Sequence, residues 1–390
     1  MEIEVRRAIL KQYTTKTNVN EELCQYTANK FLEPKDGLDV ANLNIEDEAH
    51  ILEWEQYCDE SKQIGVFETL KKYLVQFQFP VSKGISESTA YRGATLRGLE
   101  TIAMTSAIGL QLNEPKSLEL CIHNSIAGKI PVLFISNDQD FVSVIQALTY
   151  KNEPVFIPHS MGAAMINGLN NWGRIRSLKK EWLNANPLGD WRNEFAQNVV
   201  PNKSLYQDKL IVLSKKPYSG VHASSLGLSK EEWIRKSIRI RLEHECAHFF
   251  TLKVFGKMAN NMHDELIADY MGITKVLKKF NSNWFLTFLG LENYPVYREG
   301  ARLQNYIGDP VLSSDAVLIL RTLVKQAAEN VELFYDALGA SDSPSNHMMR
   351  LLCICSLDLV ELSQKDAFEN LLSRYDSLNQ TAQFKTSVQI

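Results

Sequence analysis

The sequence lacks the features that mark membrane-spanning proteins and nucleic-acid binders. Its 390 residues contain no run of 18 apolar residues. Lysine and arginine number 42 against 46 aspartates and glutamates, so the net charge is -4 and no basic surface for nucleic acid is indicated. The N-terminal segment MEIEVRRAILKQY has no apolar core of the kind found in signal peptides. We therefore expect a cytoplasmic protein with neither a membrane nor a nucleic-acid partner.

Cysteine is also scarce, and its spacing indicates no disulfide framework. The chain has six cysteines without a regular repeat. Cys353 and Cys355 form a C-x-C pair, but they lie in an apolar run and lack two further ligands at metal-binding spacing. We expect these to be buried, reduced thiols. The apolar content of 45% is ample for a folded core.

Residues 244–248 read His-Glu-Cys-Ala-His, a pattern that indicates a zinc site. A step of four residues on an α-helix turns the side chain by only about 40° and advances it by about 6 Å, so His244 and His248 project side by side. Glu245 lies about 100° round from His244, on the flank of that face. A carboxylate in this position can act as the general base for a water molecule at the metal.

Local signals place the motif inside one long helix. Ser229 and Glu232 have the spacing of an N-terminal capping box, Gly256 is a C-terminal cap signal, and no proline lies between them. We expect a helix from about residue 230 to about residue 255. Its second half is apolar on nearly every side, which predicts that both histidines are buried. Buried imidazoles need partners, either a metal ion or backbone carbonyls.

A second segment can supply the third metal ligand. Four of its residues are candidates: His263, Asp264, Glu265 and Asp269. Asn260 or Asn261 can cap a helix that runs to about residue 280. On that helix Glu265 and Asp269 share one face, whereas His263 points about 160° away from Glu265. The spacing therefore favours Glu265.

Small residues on the same face of this second helix support that choice. Ala268 and Gly272 would let the two helices approach closely enough for the carboxylate of Glu265 to reach the metal. Asp269, one turn after Glu265, is then placed to accept a hydrogen bond from the outer nitrogen of a ligating histidine, His244. Such a bond fixes the tautomer of the imidazole and increases its basicity.

The combination of HECAH and the downstream ELIAD, residues 265–269, resembles the gluzincin branch of the zincin metallopeptidases. The resemblance covers residues 230–280. It implies one zinc ion bound by His244, His248 and Glu265, with Glu245 as the general base and Asp269 as the residue that orients a histidine. It also implies a zincin-like core, in which a sheet precedes the active-site helix, and a peptide or protein substrate.

Gluzincin-like sites often use a downstream tyrosine, histidine or arginine to stabilise the oxyanion. The segment 294–306 offers four such residues: Tyr297, Arg298, Arg302 and Tyr306. We favour Tyr297 or Arg302 as a catalytic residue. The alternative is that this segment is a surface loop with ordinary polar side chains.

A rival motif lies upstream, around Ser160. The segment 155–157 is predicted to be a short strand, and the apolar run 163–169 is predicted to be a helix with Ser160 near its start. This approximates the nucleophile elbow of a serine hydrolase, but Pro158 stands where the elbow needs a glycine. The prediction is instead that Ser160 caps the helix, in a βαβ-like section that begins with a strand at Ile130–Ser136.

The predicted fold class is α+β, in four regions. These are a helical N-terminal region (1–80), an α/β region with the sheet (81–228), the zinc-binding catalytic region (229–310) and a helical C-terminal region (311–390). A second strand is predicted at Leu210–Ser214. The favoured function is a zinc-dependent metallopeptidase or amide hydrolase. The alternatives are a binding or regulatory protein that retains a zincin fold but lacks independent peptidase activity, and a serine hydrolase around Ser160.

Overall fold

The computed structural model describes residues 1–32, 34 and 45–388. Residues 33 and 35–44 of the predicted N-terminal region, and residues 389–390 of the predicted C-terminal region, lie outside the described residues. The described chain is α+β, as predicted, and is mostly helical with one four-stranded sheet. None of the described helices is long and apolar enough to cross a membrane.

The α-helices of the described residues are short apart from three that exceed 20 residues. In chain order they are α1 (Ile3–Leu10), α2 (Thr17–Tyr26), α3 (Ile51–Ile64), α4 (Val66–Tyr73), α5 (Thr89–Arg97), α6 (Asp138–Thr149), α7 (Trp172–Ala185), α8 (Trp191–Glu194), α9 (Lys230–Phe255), α10 (Met262–Leu277), α11 (Ser282–Leu289), α12 (Ser314–Leu338), α13 (Pro344–Ser356), α14 (Leu359–Leu362) and α15 (Ala367–Val388).

The chain forms two compact units. The first contains residues 1–45 and 217–390, and the second contains residues 46–216. This division differs from the four predicted regions, because the predicted N-terminal region is split at residue 45. One reason is a buried ion pair between Arg6 of α1 and Asp358, the N-cap of α14, with 2.8 Å between Arg6 Nη2 and Asp358 Oδ2. That pair joins the first helix to the C-terminal helices.

The sheet belongs to the second unit. Its strands are β1 (Glu119–Ser125), β2 (Gly128–Ile135), β3 (Ala163–Asn170) and β4 (Gln207–Ser214), in the spatial order β1-β2-β4-β3. The β1–β2 hairpin is antiparallel, β2 and β4 are parallel, and β3 is antiparallel to β4. The strands predicted at Ile130–Ser136 and Leu210–Ser214 are confirmed as β2 and β4.

The segment around Ser160 differs from its prediction. Residues 155–157 form no strand, and the Phe156 side chain is 83% exposed. The predicted helix over residues 163–169 is wrong, because these residues form strand β3 and pair with β4. Ser160 lies in a turn that leads into this strand, so it caps no helix. A nucleophile elbow needs a strand before the serine and a helix after it, and neither is present here.

The two helices predicted to carry the zinc site are present in the first unit. Helix α9 runs from Lys230 to Phe255, with the Ser229 hydroxyl accepting from the Glu232 amide and Gly256 in the left-handed conformation at its end. Helix α10 begins after Asn261, whose side chain accepts from the Asp264 amide. Both helix starts agree with the sequence signals, but the capping box predicted for α9 is only half formed, because the Glu232 carboxylate pairs with Lys236 instead of returning to Ser229.

Helices α9 and α10 approach each other closely at Gly272. A Cβ atom at this position would lie 2.7 Å from the carbonyl oxygen of Ile240, a distance that no side chain can accept without a shift of the backbone. Gly272 therefore allows the close approach of the two helices, as predicted. This contact places the polar face of α10 against the histidine face of α9.

Candidate metal centre

Three side chains from α9 and α10 converge in the first unit. The ligand atoms of His244, His248 and Glu265 all lie within 4.8 Å of one another. Nε2 of His248 is 3.1 Å from Nε2 of His244 and 3.5 Å from Oε1 of Glu265, and Nε2 of His244 is 3.7 Å from Oε2 of Glu265. All three side chains are buried, with exposed fractions of 5%, 9% and 2%.

These distances can be compared with the needs of a zinc ion. Zn–N and Zn–O bonds of about 2.0–2.1 Å in a tetrahedron place neighbouring ligand atoms about 3.3 Å apart. The three measured separations lie on both sides of that value. Oε2 of Glu265 is also buried without a hydrogen-bond partner among the described residues. The donor set and its spacing therefore fit a tetrahedral zinc ion with one position left for a water molecule.

The electrostatic surroundings favour a cation at this point. Asp264, Glu265 and Asp269 are buried with carboxylate oxygens within 3.7 Å of the histidine nitrogens, and Glu245 is buried next to His244 on α9. Burial disfavours the charged form of His248, but Asp264 and Glu265 outweigh it and raise its pKa well above the usual value. A group of carboxylates that stabilises a proton on an imidazole also stabilises a divalent metal ion there.

Asp264, another of the four candidates for the third ligand, lies next to His248. Its Oδ1 lies 3.3 Å from Nδ1 of His248, on the side of the ring away from Glu265. Its Oδ2 accepts the backbone amides of Ala259 and Asn260. Asp264 therefore links the loop between α9 and α10 to His248 through an ion-pair contact, on the side of the ring opposite to the nitrogen that faces Glu265.

His263, the other candidate for the third ligand, points elsewhere. Its Nε2 lies 3.1 Å from the carbonyl oxygen of Ile354, and its ring packs 5.6 Å from that of Phe31. This agrees with the helical phase that favoured Glu265. His263 is a buried histidine bonded to the backbone.

Asp269 makes the contact with His244 that its spacing predicts. Its Oδ1 lies 2.8 Å from Nδ1 of His244, the nitrogen that faces away from Glu265. Burial opposes ionisation of Asp269, but the charge of Arg302 and the hydrogen bonds from His244 and Tyr218 outweigh it and lower the pKa to about 2. Asp269 is therefore an anion at neutral pH.

Tyr218 belongs to the same group, although no sequence motif indicated it. Its hydroxyl lies 2.6 Å from Oδ1 of Asp269 and 2.9 Å from Nδ1 of His244. The residue lies in a short 3₁₀ turn, Tyr218–Gly220, that precedes α9. The sequence signal was only a tyrosine 26 residues before His244, outside both helices.

Tyr297 and Arg302, the two residues favoured for stabilising the oxyanion, are bonded to other residues in the structure, as is Arg298. The Tyr297 hydroxyl donates to the carbonyl of Ala301, and its ring faces the guanidinium of Arg321. Arg298 is exposed and pairs with Glu292. Arg302 is buried, but both terminal nitrogens of its guanidinium are used by Tyr218 and Asp269. Tyr297 and Arg298 therefore bond away from the metal ligands, whereas Arg302 Nη2 also lies 3.8 Å from Oε2 of Glu265 and is held there as an ion-pair partner.

Tyr306 is the remaining candidate, and it lies beside the ligands. It follows Arg302 by one 3₁₀ turn, Arg302–Tyr306. Burial raises the pKa of its hydroxyl well above the usual value, and the carboxylates of Glu265, to which the hydroxyl also hydrogen-bonds, and Glu245 raise it further. Tyr306 therefore keeps its proton at neutral pH, close to both the third ligand and the proposed base.

The fold and the site define an α+β protein with a buried cluster of two histidines and one glutamate. The chain belongs to a protein family described as a family of unknown function, DUF7005, which matches residues 8–366. No curated protein and no solved structure shows significant similarity to the chain. The function is therefore inferred from the chemistry of the site.

Proposed function

We propose that the protein is a zinc-dependent peptidase or related amide hydrolase with a gluzincin-like site in a zincin-like core. The observation that carries the proposal is the convergence of His244, His248 and Glu265 at zinc-ligand spacing. Glu245, buried and adjacent to His244 in the chain, and Asp269, bonded to His244 Nδ1, complete the set of residues that such chemistry requires. The proposed substrate is a peptide or a protein segment.

Each residue of the set has a role in the proposed reaction. A zinc ion, when bound, would lower the pKa of a water molecule towards about 7 and polarise the substrate carbonyl. Glu245 accepts the proton of the attacking water and returns it to the leaving amine, because on helix α9 its position lies about 100° round from His244. Asp269 holds His244 in the tautomer with its proton on Nδ1, and Asp264 orients His248.

The proposal extends to the compartment. All six cysteines are free thiols, and four of them are buried. Free thiols are usual in a reducing compartment, so we propose the cytoplasm.

Metal analysis and a peptide digest test the proposed function together. Protein purified without chelator should contain about one zinc ion per chain, and it should cleave members of a mixed peptide library in a reaction stopped by 1,10-phenanthroline. Zinc without cleavage would instead support a binding or regulatory protein with a retained metal site. Protein that binds no zinc, even after reconstitution, would contradict the proposal.

Tyr306 is proposed to donate a hydrogen bond to the developing oxyanion. Tyr306→Phe should retain zinc and lower kcat by about 10²-fold, because one preorganised donor contributes roughly that factor. The measurement is steady-state hydrolysis of a peptide identified in the digest, together with zinc content. Tyr294→Phe is the matched control, since Tyr294 lies in the same segment between α11 and α12 and its hydroxyl bonds to Thr322 of α12. A loss of kcat in Tyr297→Phe but not in Tyr306→Phe would contradict this role.

A further inference from the structure

His244 and three other buried side chains form a closed hydrogen-bond network at the Nδ1 side of the His244 ring. Asp269 Oδ1 faces both the Tyr218 hydroxyl (2.6 Å) and Nδ1 of His244 (2.8 Å). Arg302 completes the network, because its Nη1 donates to the Tyr218 hydroxyl oxygen and its Nη2 donates to Asp269 Oδ2. The exposed fractions of Tyr218, His244, Asp269 and Arg302 are 4%, 5%, 0% and 7%.

The protons of this network can be placed from its chemistry. A guanidinium only donates, so the Tyr218 oxygen accepts from Arg302 and its own hydrogen points at Asp269. Nδ1 of His244 then faces two oxygens, that of Tyr218 at 2.9 Å and that of Asp269, so it carries a proton. The lone pair of His244 is consequently on Nε2, the nitrogen that faces His248 and Glu265.

We infer that Tyr218 and Arg302 are positioning residues for the metal centre, an inference that rests on the proposed zinc site. They hold the Asp269 carboxylate against His244 and fix the tautomer that leaves Nε2 free to bind metal. Arg302 also compensates the charge of Asp269. His244 therefore bonds to a neutral ion pair instead of an isolated carboxylate, and the electron density passed to the metal is reduced. Arg302 therefore makes the increase in the basicity of His244 smaller than a contact with Asp269 alone would produce.

The surroundings of Tyr218 keep its hydroxyl in place. Its backbone amide donates to the Ser237 hydroxyl of α9 (3.0 Å), and the next residue, Ser219, has a left-handed φ of 52°. The ring stands edge-on to Phe288, with 4.9 Å between centroids. The guanidinium carbons of Arg302 and Arg241 lie 5.1 Å and 5.4 Å from the ring centre. The ring can remain in this position when the hydroxyl is removed.

Tyr218→Phe removes the hydroxyl and preserves the ring. We expect it to weaken zinc binding by about 10-fold to 100-fold, the usual effect of losing a residue that orients a metal ligand. The dissociation constant is measured by competition with a chromophoric chelator. The visible d–d spectrum of the Co²⁺-substituted protein should also change, because it reports the geometry and donor strength of the ligands. Tyr335→Phe is the matched control, since Tyr335 is a buried tyrosine whose hydroxyl donates to the Lys278 carbonyl.

A double-mutant cycle tests whether Tyr218 acts through Asp269. In an Asp269→Asn background, Tyr218→Phe should weaken zinc binding much less than it does alone, since the two residues share one network. Unchanged zinc affinity and an unchanged Co²⁺ spectrum in Tyr218→Phe would overturn this inference and leave the proposed function intact. Equal losses in Tyr218→Phe and Tyr335→Phe would also overturn it, since the effect would then be general destabilisation. Wild-type protein that binds no zinc would overturn the proposed function itself, and the inference with it.

Discussion

Glu245→Gln should abolish hydrolysis and leave zinc in place. The substitution keeps the size of the side chain and removes the carboxylate that accepts the proton of the attacking water, so kcat should fall by about 10²-fold to 10⁴-fold. Zinc affinity should change little, because His244, His248 and Glu265 form the proposed ligand set without Glu245. Peptide hydrolysis and zinc content, measured on the same preparation, check both parts.

The same helix offers a matched control for this prediction. Glu243 lies two positions before Glu245 on α9 and is also 8% exposed. Glu243→Gln therefore makes the same chemical change at a similar depth, away from the face that carries the two histidines. We expect it to hydrolyse peptide at close to the wild-type rate, because the proposed ligands and the proposed base are unchanged. Activity retained by Glu245→Gln would remove Glu245 from the mechanism, whereas equal loss in both variants would point to a damaged helix.

The helices of the site were predictable because their signals are local. Ser229 and Gly256 mark the two ends of α9, and Asn261 marks the start of α10, within a turn of the residues that they cap. Once each helix is placed, its periodicity decides which side chains share a face. Glu265 and Asp269 could therefore be chosen over His263 without any knowledge of the tertiary structure.

The strand β3 could not be recognised in the same way. Its sequence is a short apolar run, which fits a buried helix segment and a strand equally well. The choice is made by β4, which follows much later in the chain and pairs with β3 in register from Ala163–Leu213 onwards. Gly168, with a φ of 87°, lies at an irregularity in this pairing and further hides the alternation.

The positions of Tyr218 and Tyr306 at the site could not be predicted from helical periodicity, for a related reason. Both lie in short 3₁₀ segments whose direction is set by long-range packing. Tyr218 reaches His244 because its turn is held against Ser237 and Phe288. Tyr306 could be named as one of four polar residues in its segment, but the choice among them requires knowing that Arg302 is already bonded to Asp269. Tertiary contacts, and no local pattern, decide these two assignments.

A double variant, His244→Ala with His248→Ala, should lose zinc completely. Two of the three proposed ligands are removed, and the remaining carboxylate of Glu265 cannot hold the ion alone. Zinc content should fall from about one ion per chain to the background of the measurement. The thermal unfolding midpoint should also become independent of added zinc. In the wild type, a ligand that binds only the folded state adds about 4 kcal/mol when its concentration is 1,000 times Kd.

His263→Gln distinguishes this outcome from a general effect of removing buried histidines. His263 lies on α10 and bonds to the Ile354 carbonyl, and glutamine can still donate to that oxygen. We expect this variant to keep about one zinc ion and to retain a midpoint that rises with zinc. Stoichiometric zinc in the double variant would mean that the metal binds elsewhere in the chain. Loss of zinc in His263→Gln alone would mean that His263, and not Glu265, is the third ligand. The metal content of these two variants therefore decides the ligand set independently of any substrate.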